Sequence, residues 1–531
     1  MAILIIFAAI CGLSALWTEF SRTLMMLQQN SYRIDRYNRY LNNSGEMTSV
    51  GKLLGAALLL FCLIGWVPMW MAAALQIIFF VIYKVKALRK KYKKPLVVTP
   101  RVNRLYGAMY CIFVLLCVWF SLGQNLEGIF MAIATVALGC WFASPWIAMA
   151  AVWMLKPVEK RINQKYVDDA ARIIASMPDL KVIGITGSYG KTSTKHYLQR
   201  ILSEKFSVCM TPGSFNTTMG VVRTIREYLK PYDQVFICEM GAKQPGDIKE
   251  ICDLVHPVCG IVTAVGPQHL ESFKTIENVQ RTKFELIDSL PADGLAIIND
   301  DFPFVANRPV SNVEAIRYGV KGRPEMQYWV DDINYSASGT DFTIWSHDAE
   351  PLRLHTQLVG ECNVSNLVAA VIVGLRLGVS REQIAYAVEK IKQVEHRLSI
   401  KRLPGNVTII DDAFNSNPTG SAMALDVLAA MPGTRVIITP GMIELGSEQF
   451  ELNRKFGEKI ACSCDVAIIV GHYNREAILA GLEGAKGVNV LPVDSFTEAL
   501  TLLPKADYTV LYENDLPMKR AVIFSHIGKK V

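Results

Sequence analysis

The pattern of apolar and polar positions changes near residue 155. Before it, three stretches carry no charge: residues 53–83, 105–126 and 128–155, of 31, 22 and 28 residues. A helix of about 20 apolar residues crosses the hydrocarbon layer of a membrane. Together with the apolar start of the chain, these stretches predict a helical transmembrane domain of four to six helices over residues 1–155.

The longest stretch, residues 53–83, would measure ~46 Å as one helix, which exceeds the ~30 Å layer. Pro68 lies at its middle. The pattern favours a hairpin of two short helices that turns at residues 65–69, with a single tilted helix as the alternative. No ionisable residue lies inside any of the three stretches, so we expect an anchor or scaffold and not an ion path.

After residue 155 the pattern is that of an α/β protein. Residues 156–180 predict an amphipathic linker helix, and residues 315–358 alternate as in a small antiparallel annex. Short apolar runs alternate with helical segments, as parallel sheets covered on both faces require. The predicted strands are residues 208–210, 235–239, 260–265 and 295–298, then 407–410, 436–439, 466–470, 488–491 and 508–511. They predict a central domain over residues 181–395 and a smaller Rossmann-like domain over residues 396–531.

The charge of the chain is locally concentrated. Nine Lys or Arg and no acidic residue lie between Lys84 and Arg104, within a net charge of +7. Beside apolar stretches, such a cluster indicates a cytoplasmic loop at a membrane surface and not a nucleic-acid interface. The 12 cysteines show no zinc spacing, and we interpret them as reduced packing residues.

Residues 181–194, KVIGITGSYGKTST, predict a buried strand, a glycine-containing loop and the start of a helix. Gly187 and Gly190 let backbone N–H groups turn inward, and Lys191 and Thr192 open the helix. A polyphosphate there would meet the positive end of the helix dipole, an ammonium group and a hydroxyl able to hold magnesium. Because Ile185 stands where the usual P-loop has glycine, this is the shorter TGxxGKT form.

Other polar residues follow predicted strands. Glu239 ends one strand and His269 follows the next, so the pair suits a second magnesium ion, although such residues also cap helices or face solvent. Asp411 and Asp412 end a later strand and would bind ribose hydroxyls or a lysine, or cap the following helix. Lys283 lies in a predicted helix, where a surface lysine is the ordinary interpretation.

These motifs occur in an order that resembles the Mur ligases. They are TGSYGKTST, CEMGAKQPGDI (238–248), HLESF (269–273), RTKFEL (281–286), NDD (299–301), GECNVSNLVAA (360–370), HRL (396–398), DDAFNSNP (411–418) and GMIELG (441–446). The chain looks most similar to the members that join D-alanyl-D-alanine to UDP-N-acetylmuramoyl-tripeptide. In those members a uridine-nucleotide-binding domain stands where this chain has its membrane domain.

The resemblance implies ATP and Mg²⁺ as cofactors. The implied catalytic residues are Lys191, Lys283, His269 and Arg397, and the implied metal ligands are Thr192, Glu239, His269 and Lys283, with Lys283 carbamylated. The implied nucleotide contacts are Thr186, Gly187, Ser188, Tyr189, Gly190, Lys191, Thr192, Ser193, Asn299, Asn363, Asn366, Arg397 and Asp412. Arg397 and Asp412 belong to the last domain, which would have to close during catalysis.

The implied activity is amide-bond formation through an acyl phosphate. Its partners would be a muramyl-peptide or lipid-linked carboxylate and an amino-acid or dipeptide amine. The chain would then be a multi-pass protein of the bacterial cell membrane with its catalytic domains in the cytoplasm. Two alternatives remain: a membrane-bound polyglutamate or capsule-type ligase, and a nucleotide-binding membrane scaffold without ligation.

Overall fold

The structure, a computed structural model, describes residues 1–65, 67–90, 92, 95–320, 326–336, 339–413, 417–514 and 516. Its contacts divide the chain into two compact units, Met1–Lys165 and a second unit that begins at Tyr166.

The first unit is built from helices. Helices α1 to α7 span Ala2–Gln29, Ile34–Ser44, Val50–Ile64, Met69–Arg89, Pro100–Ser121, Leu126–Phe142 and Ser144–Ala175, and the last of them contains the division between the units. α3 ends where Gly65 adopts a left-handed conformation with φ 71°, and α4 begins directly after Pro68. The longest uncharged stretch therefore forms two helices and not a single tilted one, because glycine and proline end helices in this way.

Among the described residues, three helices are long and apolar enough to cross a membrane: α1, α4 and α5. Helices α6 and α7 meet at an angle of 81° and pass the same test only as a pair, which would make four. α3 is apolar but shorter. Because length and composition alone define these spans, the number of crossings stays a prediction.

Two ionisable residues at the ends of apolar stretches are buried in this unit, which the sequence did not predict. α1 extends far enough to carry Glu19, whose side chain is fully buried. Lys52 Nζ on α3 donates to Glu19 Oε1 at 2.8 Å and to the main-chain oxygen of Trp141 at 2.7 Å. The hydroxyls of Ser144 and Tyr83 also donate to the Glu19 carboxylate. Sequence pattern alone cannot show that these helices meet at one point.

The second unit begins with a nine-stranded sheet of order β2-β3-β1-β4-β5-β6-β7-β8-β9. Its strands β1 to β9 span Lys181–Thr186, Val208–Met210, Val235–Glu239, Cys259–Val262, Leu295–Asn299, Glu314–Gly319, Tyr328–Ser336, Gly339–Ser346 and Leu352–Thr356. In this order, each neighbouring pair of strands from β2 through β7 is parallel. Strands β8 and β9 then extend the sheet at its edge, and each pairs antiparallel with the strand before it. The predicted antiparallel annex is therefore the edge of the same sheet, and its first strand, β6, pairs in parallel with β5.

Helices cover both faces of this sheet. They are α8 to α15, which span Lys191–Leu202, Thr218–Glu227, Asp247–Val255, Leu270–Phe273, Ile276–Asp288, Pro303–Ala306, Glu361–Arg376 and Arg381–Glu389. Along β1, Ile183 and Ile185 pack into the core that includes α8 and α14, and Val182 packs into the core of α10 and α12. This alternation follows from the two-residue repeat of a strand and buries β1 on both faces. We call this part, residues 181–391, the middle lobe.

The rest of the second unit, residues 396–514, forms what we call the C-terminal lobe. Its sheet has the order β10-β11-β15-β12-β13-β14, parallel except for the antiparallel β10. Strands β10 to β15 span Ser399–Leu403, Val407–Asp412, Thr434–Thr439, Val466–Val470, Asn489–Val493 and Tyr508–Glu513. Helices α16 to α19 span Pro418–Ala429, Gln449–Ser463, Arg475–Leu482 and Phe496–Thr501, with a 3-10 turn at Gly446–Glu448. All nine strands predicted from the sequence are present, with ends that shift by up to three residues.

Candidate active site

The loop between β1 and α8 forms the predicted phosphate cradle. Gly187 and Gly190 have φ values of 152° and 83°. A Cβ at Gly187 would lie 2.1 Å from Thr263 Oγ1, and one at Gly190 would lie 2.4 Å from Asn366 Oδ1. Both positions therefore require glycine. The N-cap of α8 is Gly190, which has no side chain that could cap the helix, and this suits the first N–H groups of α8 to an anion.

The ends of neighbouring strands hold this loop in place. Thr186 Oγ1 donates to the main-chain oxygen of Met240 at 2.9 Å, just after β3. Ser188 N donates to the oxygen of Ala264 at 2.8 Å, and Ser188 Oγ donates to that of Gly266 at 3.0 Å. Thr186 and Ser188, predicted as nucleotide contacts, thus use their side chains to shape the loop.

Lys191, the first residue of α8, folds back over the cradle. Its Nζ donates to the main-chain oxygens of Gly187 and Ser188. Burial lowers its pKa to about 8; Glu239 acts against this shift, and Arg397 adds to it. A positive group held over the loop suits a polyphosphate, which would replace the two carbonyl contacts.

Glu239 is the central acceptor of the site. Its Oε1 accepts from Thr192 Oγ1 at 3.2 Å and from Asn216 Nδ2 at 3.1 Å, and its Oε2 accepts from Lys195 Nζ at 2.8 Å. Burial raises the pKa of this carboxyl, but Lys195 and Lys191 outweigh that effect and hold the pKa below its usual value. The group is therefore a carboxylate at neutral pH.

Thr192 and Glu239 fit a magnesium ion. In octahedral Mg²⁺ with oxygens at 2.0–2.1 Å, neighbouring ligand oxygens lie about 2.9 Å apart, close to the 3.2 Å between these two side chains. The described residues contain no group of three or more His, Cys, Asp or Glu side chains arranged to hold a metal.

Lys283 is buried and not at the surface. It lies on α12, only 2% exposed, and none of the described residues forms a hydrogen bond or an ion pair with its amine. Burial lowers its pKa well below the usual value, and the positive charge of Lys191 adds to this, whereas Asp247 and Glu285 oppose it. Lys283 therefore lies within electrostatic reach of Lys191, and its burial favours the neutral form of the amine.

His269, in the middle lobe, is hydrogen-bonded to a residue of the C-terminal lobe. It precedes α11 in a left-handed conformation, φ 51°, and its Nδ1 forms a hydrogen bond with the Glu444 carboxylate. None of its described contacts is with Thr192, Glu239 or Lys283. The structure therefore brings Thr192 and Glu239 into contact, places Lys283 within electrostatic reach of Lys191, and places His269 at the contact between the lobes.

A cavity of about 460 Å³ lies beside the cradle. Its lining includes these predicted nucleotide contacts: Tyr189, Gly190, Ser193, Asn299, Asn363, Asn366, Arg397 and Asp412. The rings of Tyr189 and Phe302 meet edge to face, with centroids 5.2 Å apart, and form an aromatic wall. Such a wall suits the flat face of a base.

The three asparagines that line this cavity also form hydrogen bonds with other residues of the middle lobe. Asn299 Nδ2 donates to the main-chain oxygen of Thr263 and to Ser365 Oγ. Asn363 Oδ1 accepts from Tyr197 OH at 2.8 Å, and Asn366 Oδ1 accepts from Thr194 Oγ1 at 3.2 Å. Asn363 and Asn366 thereby fix α14 against α8, which shapes the cavity wall.

Arg397 and Asp412 reach the cavity from the C-terminal lobe. Burial lowers the pKa of Arg397, and Asp412 and Glu239 act in the opposite direction. Burial raises the pKa of Asp412 to about 6 although Arg397 and a hydrogen bond from Leu398 N oppose the shift. The two lobes therefore supply charges to one place. Residues 414–416 of the predicted DDAFNSNP motif lie outside the described residues.

Sequence reasoning missed four of these residues. Lys195 is one helical turn after Lys191, so its position on the same face of α8 was readable from the spacing. Asn216 and Phe302 come from loops whose approach no local pattern indicates. Glu444 lies in the GMIELG motif, which the sequence singled out without assigning a role to this residue.

A phosphate cradle, a carboxylate–hydroxyl pair and an arginine from a second α/β lobe define an ATP-dependent ligase of the Mur type. The chain belongs to the Mur ligase family: the Mur ligase middle domain matches residues 185–374, and the Mur ligase glutamate ligase domain matches residues 396–512.

Two relatives are named UDP-N-acetylmuramoyl-tripeptide--D-alanyl-D-alanine ligase. The protein of Escherichia coli (strain K12) is 30% identical over 331 residues, which cover 60% of this chain and 73% of the relative. That of Mycobacterium leprae (strain TN) is 32% identical over 364 residues, 63% of this chain and 70% of the relative.

Solved structures of Mur ligases have a similar fold. MurF from Acinetobacter baumannii superposes with a TM-score of 0.62 at 25% identity, over 68% of this chain and 80% of that one. MurF from Thermotoga maritima in complex with ADP shares the fold, with a TM-score of 0.60 at 24% identity over 69% of this chain and 82% of that one.

Proposed function

We propose that the chain joins a D-alanyl-D-alanine-type amine to the terminal carboxylate of a muramyl peptide, at the expense of ATP. Relatives at 30% and 32% identity carry the name of this reaction. The observation that carries the proposal is the convergence of Lys191, Glu239 and Arg397 from both lobes at the mouth of the phosphate cradle.

In the proposed reaction a substrate carboxylate oxygen attacks the γ-phosphorus of ATP, the bond to the bridging oxygen breaks, and ADP leaves. The amine then attacks the acyl carbon, the C–N bond forms, and inorganic phosphate departs as the amine loses a proton. Because two anions must approach each other, the site has to supply positive charge. Lys191 and Arg397 meet this need from opposite lobes.

Thr192 and Glu239 would hold Mg²⁺, which neutralises charge on the phosphates when bound. Lys195 keeps one oxygen of Glu239 engaged, so the other stays directed at Thr192. Asn216 Nδ2 also donates to this Oε1 atom of Glu239 and helps to orient it. The aromatic wall of Tyr189 and Phe302 would receive adenine, and Asp412 would accept from ribose hydroxyls.

We further propose that Lys283 is carbamylated. Carbamylation needs a neutral amine to attack CO₂, and a buried lysine with a strongly lowered pKa supplies one. The nitrogen would bond to the carbon of CO₂ and lose a proton to solvent. The product is an anion, which the positive charge of nearby Lys191 would stabilise. A negative ligand would thereby join Glu239 at the phosphates.

We also propose that the helical unit holds the ligase at the cytoplasmic membrane, because three of its helices are long and apolar enough to cross. Extraction of isolated membranes at high pH tests this: the full chain should stay in the membrane pellet. Release into the supernatant would contradict it. A ligase at the membrane would be placed to use a lipid-linked carboxylate as well as a UDP-linked one.

Phosphate release by the purified full chain in detergent tests the function. Release from ATP should require both UDP-N-acetylmuramoyl-tripeptide, or its lipid-linked equivalent, and D-alanyl-D-alanine, and Lys191→Ala should abolish it. Stimulation by glutamate and its polymers would instead favour the polyglutamate-type ligase. Nucleotide binding without release under every pair of substrates would favour the scaffold.

A further inference from the structure

The GMIELG segment, residues 441–446, is the motif whose role the reaction above leaves open. It follows β12 of the C-terminal lobe and reaches α11 of the middle lobe. Glu444 presents its carboxylate to His269 Nδ1, and the main-chain oxygen of Glu444 lies 3.5 Å from Glu271 N. A side-chain contact and a main-chain contact thus join the two lobes at one point.

Backbone conformation on both sides is adapted to this contact. His269 and Glu444 both have positive φ, 51° and 64°, which costs a non-glycine residue of order 1 kcal/mol. Gly446 also has a φ of 64°, and a Cβ there would lie 3.2 Å from Glu271 N. Two strained residues that face each other across a lobe boundary indicate a selected contact and not a chance approach.

Three side-chain amides of the C-terminal lobe fix the main chain of this segment: Gln449, Asn453 and Asn474. Asn453 Oδ1 accepts from Met442 N at 2.9 Å, and Asn474 Nδ2 donates to Met442 O at 3.0 Å. Gln449 Oε1 accepts from Leu445 N at 3.1 Å, and Gln449 Nε2 donates to Asn474 Oδ1 at 2.7 Å. The main chain on both sides of Glu444 is therefore fixed by contacts within the C-terminal lobe, independently of His269.

The partner of Nδ1 decides what the other ring nitrogen can do. A carboxylate only accepts, so the neutral imidazole carries its proton on Nδ1 and leaves a lone pair on Nε2. Histidine ligands of metals are oriented in this way by a carboxylate on the opposite nitrogen. Here the carboxylate comes from the lobe that has to close.

We propose that Glu444 is a positioning residue: while the two lobes are in contact, it orients His269 so that the Nε2 lone pair is available to a divalent ion at the metal–phosphate site. The proposal rests on the proposed function, because it needs nucleotide and a divalent ion at the cradle. It links the contact between the lobes to metal binding: the ion is bound tightly only while the lobe that supplies Arg397 is in contact with the middle lobe.

Mn²⁺ affinity of the full chain tests this, measured by electron paramagnetic resonance with the non-hydrolysable analogue adenosine 5′-(β,γ-imido)triphosphate. Loss of an outer carboxylate typically weakens metal binding 10–100-fold. Glu444→Ala should therefore lower Mn²⁺ affinity by about 10–100-fold. Glu444→Gln keeps an acceptor for Nδ1 and should lose less. Glu448→Ala, an exposed acid two residues beyond the motif, is the matched control and should leave the affinity unchanged.

A second comparison separates positioning from a general effect on folding. In a His269→Ala background, Glu444→Ala should weaken Mn²⁺ binding no further, because the residue through which it acts is gone. Unchanged Mn²⁺ affinity in Glu444→Ala, or a full additional loss in the double variant, would overturn the proposal. Failure of the parent chain to bind the nucleotide analogue would count instead against the proposed function.

Discussion

At the scale of single residues, the site depends on how the two carboxylate oxygens of Glu239 are divided among their hydrogen-bond donors. Thr192 and Asn216 contact one oxygen of its carboxylate and Lys195 contacts the other. Lys195 is fully buried, so this ion pair is not screened by water. The pair fixes the charge and the direction of a carboxylate that, in the proposed reaction, would meet a metal and a polyphosphate.

Gly190→Ala tests the shape of the cradle. The backbone at φ 83° and the 2.4 Å approach of the new Cβ to Asn366 Oδ1 should together cost more than the ~1 kcal/mol of the backbone strain alone. Thermal unfolding and ADP binding are the measurements. Gly213→Ala is the control, because Gly213 has φ 50° but, apart from its chain neighbours, no described residue has an atom within 4 Å of the added Cβ. Equal destabilisation by both, with ADP affinity intact, would contradict the account of the loop.

Lys283→Ala tests the carbamate. Turnover should fall by at least about 100-fold, as for an electrostatic group of the transition state, while ADP binding changes little. Incubation of the parent with ¹³C-bicarbonate should give a carbamate signal by nuclear magnetic resonance that the variant lacks. Lys249→Ala, which removes a lysine that is 61% exposed, should keep both turnover and signal. A Lys283→Ala variant with parental turnover would remove the hypothesis.

Asp412 gives the site a pH dependence. Burial raises its pKa to about 6, so above that pH the carboxylate can only accept hydrogen bonds, as the proposed contact with ribose hydroxyls requires, and below it the group becomes protonated. We expect kcat/KM for ATP to fall as the pH drops through about 6, and Asp412→Asn to give a low, flat profile in that range. Asp426→Asn, at a position 62% exposed, should retain the parental profile. An acid limb that persists in Asp412→Asn would assign it to another group.

At the scale of elements, strands with buried apolar runs were predictable. β3 and β13 have the predicted bounds because a central parallel strand is apolar throughout. The alternation of β7 to β9 was also readable, but their membership in the large sheet was not, since it depends on the pairing of Tyr318 and Gly319 with Tyr328 and Trp329. The position of Lys283 in α12 was predictable; its burial was not, because it depends on the partners of the helix.

In the helical unit, Lys52→Met tests whether the buried ion pair holds α1 and α3 together. Removal of one partner of a buried pair leaves the other uncompensated and typically costs about 3–5 kcal/mol. Thermal unfolding of the full chain in lipid nanodiscs should show this unit destabilised, and Glu19→Gln combined with Lys52→Met should recover part of the loss.

The control for this change is Lys86→Met, which removes an exposed lysine on α4 and should leave the transition unchanged. A Lys52→Met variant as stable as the parent would mean that Ser144, Tyr83 and Arg22 satisfy Glu19 without the lysine.

At the scale of the whole molecule, the order of motifs revealed the two lobes, because TGSYGKTST follows the first strand of one βα series and DDAFNSNP ends a strand of a second series. The contacts between lobes were not readable from the sequence. His269 and Glu444 are separated by 175 positions, and the packing of loops from both lobes brings them together. The same holds for Arg397, whose approach to Lys191 and Glu239 depends on the packing of one lobe on the other.

The central claim is that this pocket activates a carboxyl group by phosphorylation, and the fate of a carboxylate oxygen tests it most directly. The full chain would turn over a muramyl tripeptide labelled with ¹⁸O in its terminal carboxylate, together with ATP and D-alanyl-D-alanine. The account predicts that one ¹⁸O atom appears in each inorganic phosphate released. Amide formation with unlabelled phosphate would contradict it.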